Sequence, residues 1–120
     1  MEFDNNKSIF LQIADNIREK VVNGTFPPGE KIPSVRELAA DMGVNPNTIM
    51  RTYNELQSMH IIDNKRGIGY FVNPDAKKSI MMKKKTEFFD HVLPEFIRQA
   101  KLAGVSTAEL KNHIDKLNQE

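Results

Sequence analysis

Residues 45–54 read NPNTIMRTYN, and at helical spacing their side chains separate into two sets. Ile49 and Tyr53, continued by Leu56, form an apolar stripe. Asn47, Arg51 and Asn54 form a polar ridge on the other side. Such a ridge suits recognition of a nucleic-acid duplex. An Asn amide can give two hydrogen bonds to adenine, an Arg can grip guanine or a phosphate, and Thr48 can bond a base or a phosphate. Asn45, Asn47 and Thr48 stand at the start of the helix, the part that faces base edges when a helix lies in a major groove. Arg36, near the start of the preceding helix, is placed for the groove's edge. Lys65, Arg66 and Gly67 add charge and a small residue where the chain would pass a sugar-phosphate wall. Taken alone, the ridge is equally a solvated helix face.

These side chains need elements to hold them. In SIFLQIADNIREKVVNG, residues 8–24, Ile9, Ile13, Ile17 and Val21 recur every four residues with Phe10 and Ala14 beside them, which predicts an amphipathic helix. Ser8 is expected to cap its start and Gly24 to stop it. TFPPGEKIP reads as a turn with an extended exit. Ser34 and Glu37 have capping-box spacing and open a short second helix, with Val35, Leu38, Ala39 and Met42 inward and Gly43 ending it. A third helix begins with Asn45 as N-cap and Pro46 at its first position, and runs to about Met59. His60–Ile62 and Ile68–Val72 read as two strands joined by residues 63–67. Three helices followed by a hairpin with a basic tip is the order of a winged helix-turn-helix, mainly α with a small β-hairpin.

From Asp75 the chain changes character. A lysine-rich stretch containing Lys83, Lys84 and Lys85 leads into Phe88, Phe89, Val92 and Phe96, with Leu93 and Ile97 alongside. The pattern is helical, and Pro94 inside it predicts a kink or break near residue 93. Ser106 and Glu109 form a second capping box before a last helix with Leu110, Ile114 and Leu117 on one face. Two helices cannot bury this much apolar surface within one chain. Phe88, Phe89, Val92, Phe96, Leu110 and Ile114 are therefore expected at an interface between two copies. The competing reading is the lining of an effector pocket. The lysine run reads first as a solvated helix face, and DNA or an acidic membrane surface is its alternative target.

Bulk properties set the remaining bounds. With 120 residues, 39% hydrophobic and 28% charged, the chain reads as one small domain with an appendage. No apolar run approaches the ~18 to 20 residues of a membrane span, and the start MEFDNNKSIF lacks a signal-peptide core. No cysteine is present, which excludes disulfides and thiolate metal sites, so a cytoplasmic location is expected. Net charge is +1. Residues 1–75 hold 8 Lys/Arg against 10 Asp/Glu, a net of −2, and residues 76–120 hold 9 against 6, a net of +3. A DNA reading therefore depends on where Arg36, Arg51, Lys65 and Arg66 stand, not on total charge. His91 and Glu95, and His113 with Asp115, are too sparse to predict a metal site. Nothing resembles a phosphate loop, an activated nucleophile or a marked carboxylate pair, so no enzyme activity, cofactor or metal is expected.

PPGEKIPSVRELAADMGVNPNTIMRTYNELQ, followed by GIGYFV, resembles the DNA-binding domain of GntR-type bacterial transcription regulators. The likeness covers roughly residues 8 to 73: the PG turn, PSVRELA, VNPNT, R-x-Y-x-E-L and the G-x-G-x-F-V wing occur in the family's order. It implies operator contacts at Ser34, Arg36, Asn45, Asn47, Thr48, Arg51 and the wing at Arg66-Gly67. Some branches carry an extra arginine near the start of the recognition helix. Here that region is Asn45-Pro46-Asn47, so their base preference does not transfer. The short tail resembles the YtrA-like branch, in which two helices form a dimerisation appendage and the regulators often sit beside transporter genes.

The resulting expectation is a winged helix-turn-helix DNA-binding domain over residues 1–74 and a two-helix dimerisation region over residues 75–120. The chain is expected to bind double-stranded DNA as a homodimer, more often as a repressor, without a membrane partner. Ser34 and Asn45 can act only as helix caps, Arg36 can pair with Asp41 or Glu37, and Lys65-Arg66 can be ordinary turn polarity. The alternative functions are a winged-helix protein-interaction module and a ligand-responsive regulator with a pocket at the dimer interface.

Overall fold

The four-residue apolar repeat at the start of the chain folds as helix α1, Ile9–Val22. Ser8 occupies the N-cap position, yet its side chain makes no capping bond, contrary to expectation. The Gln12 side-chain amide instead donates to the Lys7 carbonyl over 2.7 Å. The buried stripe starts one turn late: Ile13, Ile17 and Val21 are buried, while Ile9 is 46% exposed. Asn23 closes the helix, and Gly24 follows with φ +85°. This computed structural model describes Phe3 and residues 7–119. The chain divides into two compact units, Met1–Met82 and Lys83–Glu120.

In the first unit, α2 (Val35–Met42) and α3 (Pro46–Ser58) join α1 around a single core. Both helix starts follow their sequence signals. The Ser34 hydroxyl accepts from the Glu37 N–H while the Glu37 carboxylate accepts from the Ser34 N–H, each over 3.1 Å. The Asn45 side-chain oxygen accepts from the Asn47 N–H over 2.8 Å, with Pro46 in the first turn. Gly43 turns the chain between the two helices with φ +67°. Ile49, Tyr53 and Leu56 are fully buried against α1 and against Leu38 and Ala39 of α2. Burial of each such aliphatic side chain contributes about 1.5–3 kcal/mol, so this cluster is the main source of the unit's stability.

The hairpin differs from its sequence reading at both ends. Strand β1 is Ile62–Lys65 and β2 is Gly69–Val72, so Asp63, Asn64 and Lys65 belong to the ladder and the loop shrinks to Arg66-Gly67-Ile68. His60, expected in the first strand, lies in a left-handed turn with φ +59°, which redirects the chain as it leaves α3. The pairing is antiparallel, with Ile62 opposite Val72 and Lys65 opposite Gly69. The extended exit before α2 lines the other edge of β2: Lys31 bridges Phe71, and the Ile32 N–H donates to the Tyr70 carbonyl over 2.9 Å. Helix α4 (Ala76–Glu87) follows, and its buried Ala76 and Ile80 complete the same core.

In the second unit, of the kink or break expected near residue 93, the break does not occur. The π-helical turn Phe88–Val92 leads directly into α5, Leu93–Leu102. The Leu93 N–H reaches back five residues to the Phe88 carbonyl. Pro94 stands in the first turn of α5, and the wider turn before it takes up the ring and the missing N–H without ending the helix. Gly104, with φ +71°, precedes α6 (Thr107–Asn118), whose Ser106–Glu109 capping box forms as expected. No residue of the π turn, α5 or α6 is buried.

Candidate nucleic-acid interface

The ridge of α3 stands clear of the core. Asn47, Arg51 and Asn54 are exposed, with Thr48 half-buried at the edge of the ridge. Among the described residues Arg51 has no acidic partner. Its guanidinium carbon lies 3.9 Å from the centre of the Phe10 ring, on α1. Ser8, Ile9 and Phe10 of the α1 start and Asn47, Thr48 and Arg51 of the α3 start together border a hollow of about 350 Å³. Arg51, Asn47 and Thr48 are thus brought together, with α1 contributing a wall that the helix-turn-helix pattern did not anticipate.

The capping roles left open for Ser34 and Asn45 are both realised. Each keeps capacity to spare: the Ser34 hydroxyl hydrogen and the Asn45 side-chain N–H groups are not consumed by the caps. The backbone amides differ between the two helices. At α2 the Val35 and Arg36 N–H groups have no acceptor among the described residues. At α3 the Asn47 N–H is taken by Asn45 Oδ1, Thr48 and Ile49 donate to the Asn45 carbonyl, and Pro46 has no N–H. Open backbone N–H groups are therefore present at the start of α2 and absent at the start of α3, where the cap and the proline use them up. Arg36 is exposed and forms no ion pair with Glu37 or Asp41 among the described residues. The Glu37 carboxyl is held below the usual range by the Ser34 hydrogen bonds and by nearby Lys31.

The wing is anchored to the α3 side of the unit through Tyr70. Its ring meets the Tyr53 ring edge-on with centroids 4.8 Å apart, and its hydroxyl lies 4.0 Å from the sulfur of Met50. At the tip the Ile68 N–H donates to the Lys65 carbonyl over 2.9 Å, and Gly67 adopts φ +79°, which closes a tight turn with Arg66 and Gly67 exposed. The Lys65 ammonium sits 4.3 Å from the centre of the Phe71 ring, a cation–π contact that restrains it beside the tip. Ile68, not singled out from sequence, is 62% exposed at the tip.

The residues read as an interface between copies lie in the second unit. Phe88, Phe89, Val92, Phe96 and Ile114 are each about half exposed, and Leu110 is half-buried. Phe88 and Phe89 meet edge-on with centroids 5.4 Å apart. Glu95, one half of the sparse His91–Glu95 pair, has its carboxylate held by Arg98 at 2.7 and 2.9 Å. No helix of the described residues is long and apolar enough to cross a membrane.

Three helices around one core, an exposed polar ridge on the third and a two-stranded wing beside it define a winged helix-turn-helix transcription regulator. Comparison with known proteins agrees. The model of the bacterial regulatory proteins of the gntR family matches residues 10–72. The chain is 40% identical over 109 residues to the HTH-type transcriptional regulator YhcF of Bacillus subtilis, spanning 91% of this chain and 88% of that protein. It is 36% identical over 110 residues to the HTH-type transcriptional repressor YtrA of the same organism, spanning 92% and 84%. A crystal structure of a GntR-family regulator from Bacteroides thetaiotaomicron superimposes with TM-score 0.79 at 40% identity, over 93% of this chain and 97% of that one. The chain belongs to the GntR family of bacterial transcription regulators.

Proposed function

We propose that the chain is a cytoplasmic transcription repressor that binds a near-palindromic operator as a homodimer. Residues 1–74, with the core-completing Ala76 and Ile80 of α4, act as the DNA-binding domain, and the remainder of residues 75–120 as the dimerisation region. The observation that carries this reading is the free ridge of α3: Asn47, Arg51 and Asn54 stand exposed on the side opposite a fully buried Ile49, Tyr53 and Leu56. In a major groove the start of α3 presents Asn45, Asn47 and Thr48 to base edges and Arg51 to guanine or phosphate. Ser34, Arg36 and the open amides of α2 hold phosphates, and Lys65, Arg66 and Gly67 lie along the adjacent backbone or minor groove. Dimerisation covers Phe88, Phe89, Val92, Phe96 and Ile114, which the second unit leaves exposed, together with the half-buried Leu110. The repressor sign is supported by the likeness to the relative named as the repressor YtrA.

Selection of bound sequences from a random duplex library tests the reading. A two-fold symmetric motif, with half-sites about one helical turn or a multiple apart, is the expected result. A folded protein that enriches no sequence would overturn it.

A further inference from the structure

We infer that Phe10 is a positioning residue for Arg51: its ring holds the guanidinium in place before DNA arrives, so α1 shapes recognition without touching the duplex. The inference deepens the DNA-binding reading and rests on it.

An exposed arginine samples many rotamers, and fixing one on binding costs affinity. Here the guanidinium carbon is 3.9 Å from the Phe10 ring centre, well inside the ~6 Å reach of a cation–π contact. Among the described residues no carboxylate competes for it. The contact is made through the guanidinium carbon and uses no hydrogen-bond acceptor, so the N–H groups that form paired bonds to a guanine or a phosphate are not spent on a carboxylate. Arg51 also borders the open hollow shared with Ser8, Phe10, Asn47 and Thr48.

Phe10 is itself fixed relative to α3. The buried Thr52 hydroxyl, on the residue next to Arg51, lies 3.2 Å from the Phe10 carbonyl and 2.9 Å from the Thr48 carbonyl and shares its one hydrogen between them, which places the start of α1 directly against α3. The ring therefore stands on a backbone position tied to the recognition helix itself. A restraint on the position of the guanidinium bears on base preference as well as on affinity.

The test is a double-mutant cycle on the full chain, with the duplex selected by the wild type as probe. Phe10→Leu keeps an apolar side chain and removes the ring, and is expected to weaken binding ~3- to 10-fold. Phe10→Tyr keeps the ring and stays within about twofold. Arg51→Ala weakens binding ~10-fold or more. Adding Phe10→Leu to Arg51→Ala costs nothing further. A Phe10→Leu protein that binds like wild type, or a double variant whose losses multiply, overturns the inference while leaving the DNA reading intact. Failure of the wild type to bind any duplex sinks both. The Arg51 Nε–H resonance in the free wild-type protein checks the contact without any variant: a ring-current shift is expected, and a random-coil position overturns the inference.

Discussion

The Tyr53 hydroxyl donates to the Pro33 carbonyl across 2.6 Å, joining the middle of α3 to the residue just before the α2 cap. The ring is fully buried, and burial pushes the hydroxyl's pKa up, so it remains a neutral donor throughout the working range. Tyr53→Phe leaves the Pro33 carbonyl without this partner. It is expected to lower unfolding free energy by about 1–2 kcal/mol in urea titrations. A midpoint equal to wild type would show that water replaces the bond at no cost.

Gly69 has a specific steric duty. Its φ is +142°, and a Cβ built there would stand 2.7 Å from Cε of Lys31. The exposed lysine end can swing away at little cost, so the loss on Gly69→Ala comes from the positive φ, about 1–3 kcal/mol. Chemical denaturation measures the loss. Amide shifts confined to β1, β2 and residues 29–32 would show that the damage stays in the wing.

Acid should loosen the start of α2. The Ser34 hydrogen bonds hold the Glu37 carboxyl below its ordinary value, so its folded-state pKa is depressed. The stabilisation is therefore present above the unfolded-state value and is lost as pH falls through the folded one. Glu37→Gln should flatten part of the fall in thermal midpoint between roughly pH 5 and pH 3. Parallel curves for the two proteins would remove Glu37 from the acid response.

Operator binding should depend steeply on salt. If each subunit neutralises ~3 to 4 phosphates, a dimer gives a log–log slope on the order of −5 to −7. Titrations at several potassium chloride concentrations measure it, and a flat response would exclude the phosphate contacts assigned to Arg36, Lys65 and Arg66.

Phe96→Asp places a charge in the face assigned to the partner copy, where burying it unpaired is costly. Sedimentation is expected to show monomers at concentrations where the wild type is dimeric. A full dimer of the variant would move the interface elsewhere.

Much of the DNA-binding unit was legible because its signals are local. Ser34 with Glu37 and Asn45 with Pro46 announce helix starts within four residues, and the spacing of Ile49, Tyr53 and Leu56 separates core from ridge. What escaped depends on partners distant in sequence. The bridge from Lys31 to Phe71 joins residues 40 apart, and the stack of Arg51 on Phe10 joins residues 41 apart, so no window around either position contains the contact. The strand boundaries slipped because His60 takes a left-handed turn that any His–Ile–Ile run conceals. Pro94 was rightly flagged as incompatible with a plain α-helix, but sequence did not say that one wider turn would absorb it.

That wider turn makes length a constraint in its own right. Along an ordinary α-helix each residue advances the side chains by about 100°. The five residues Phe88–Val92 break that count, so the lanes before Phe88 and after Val92 are offset from the ones regular spacing assigns. Losing a single residue there would turn the wide turn into plain α-helix and leave Phe96 nearly where it now sits relative to Glu87, whereas losing one residue elsewhere between them would swing it by about 100°. The wide turn is thus the one place in this segment where a residue can be lost with the flanking apolar lanes kept in register.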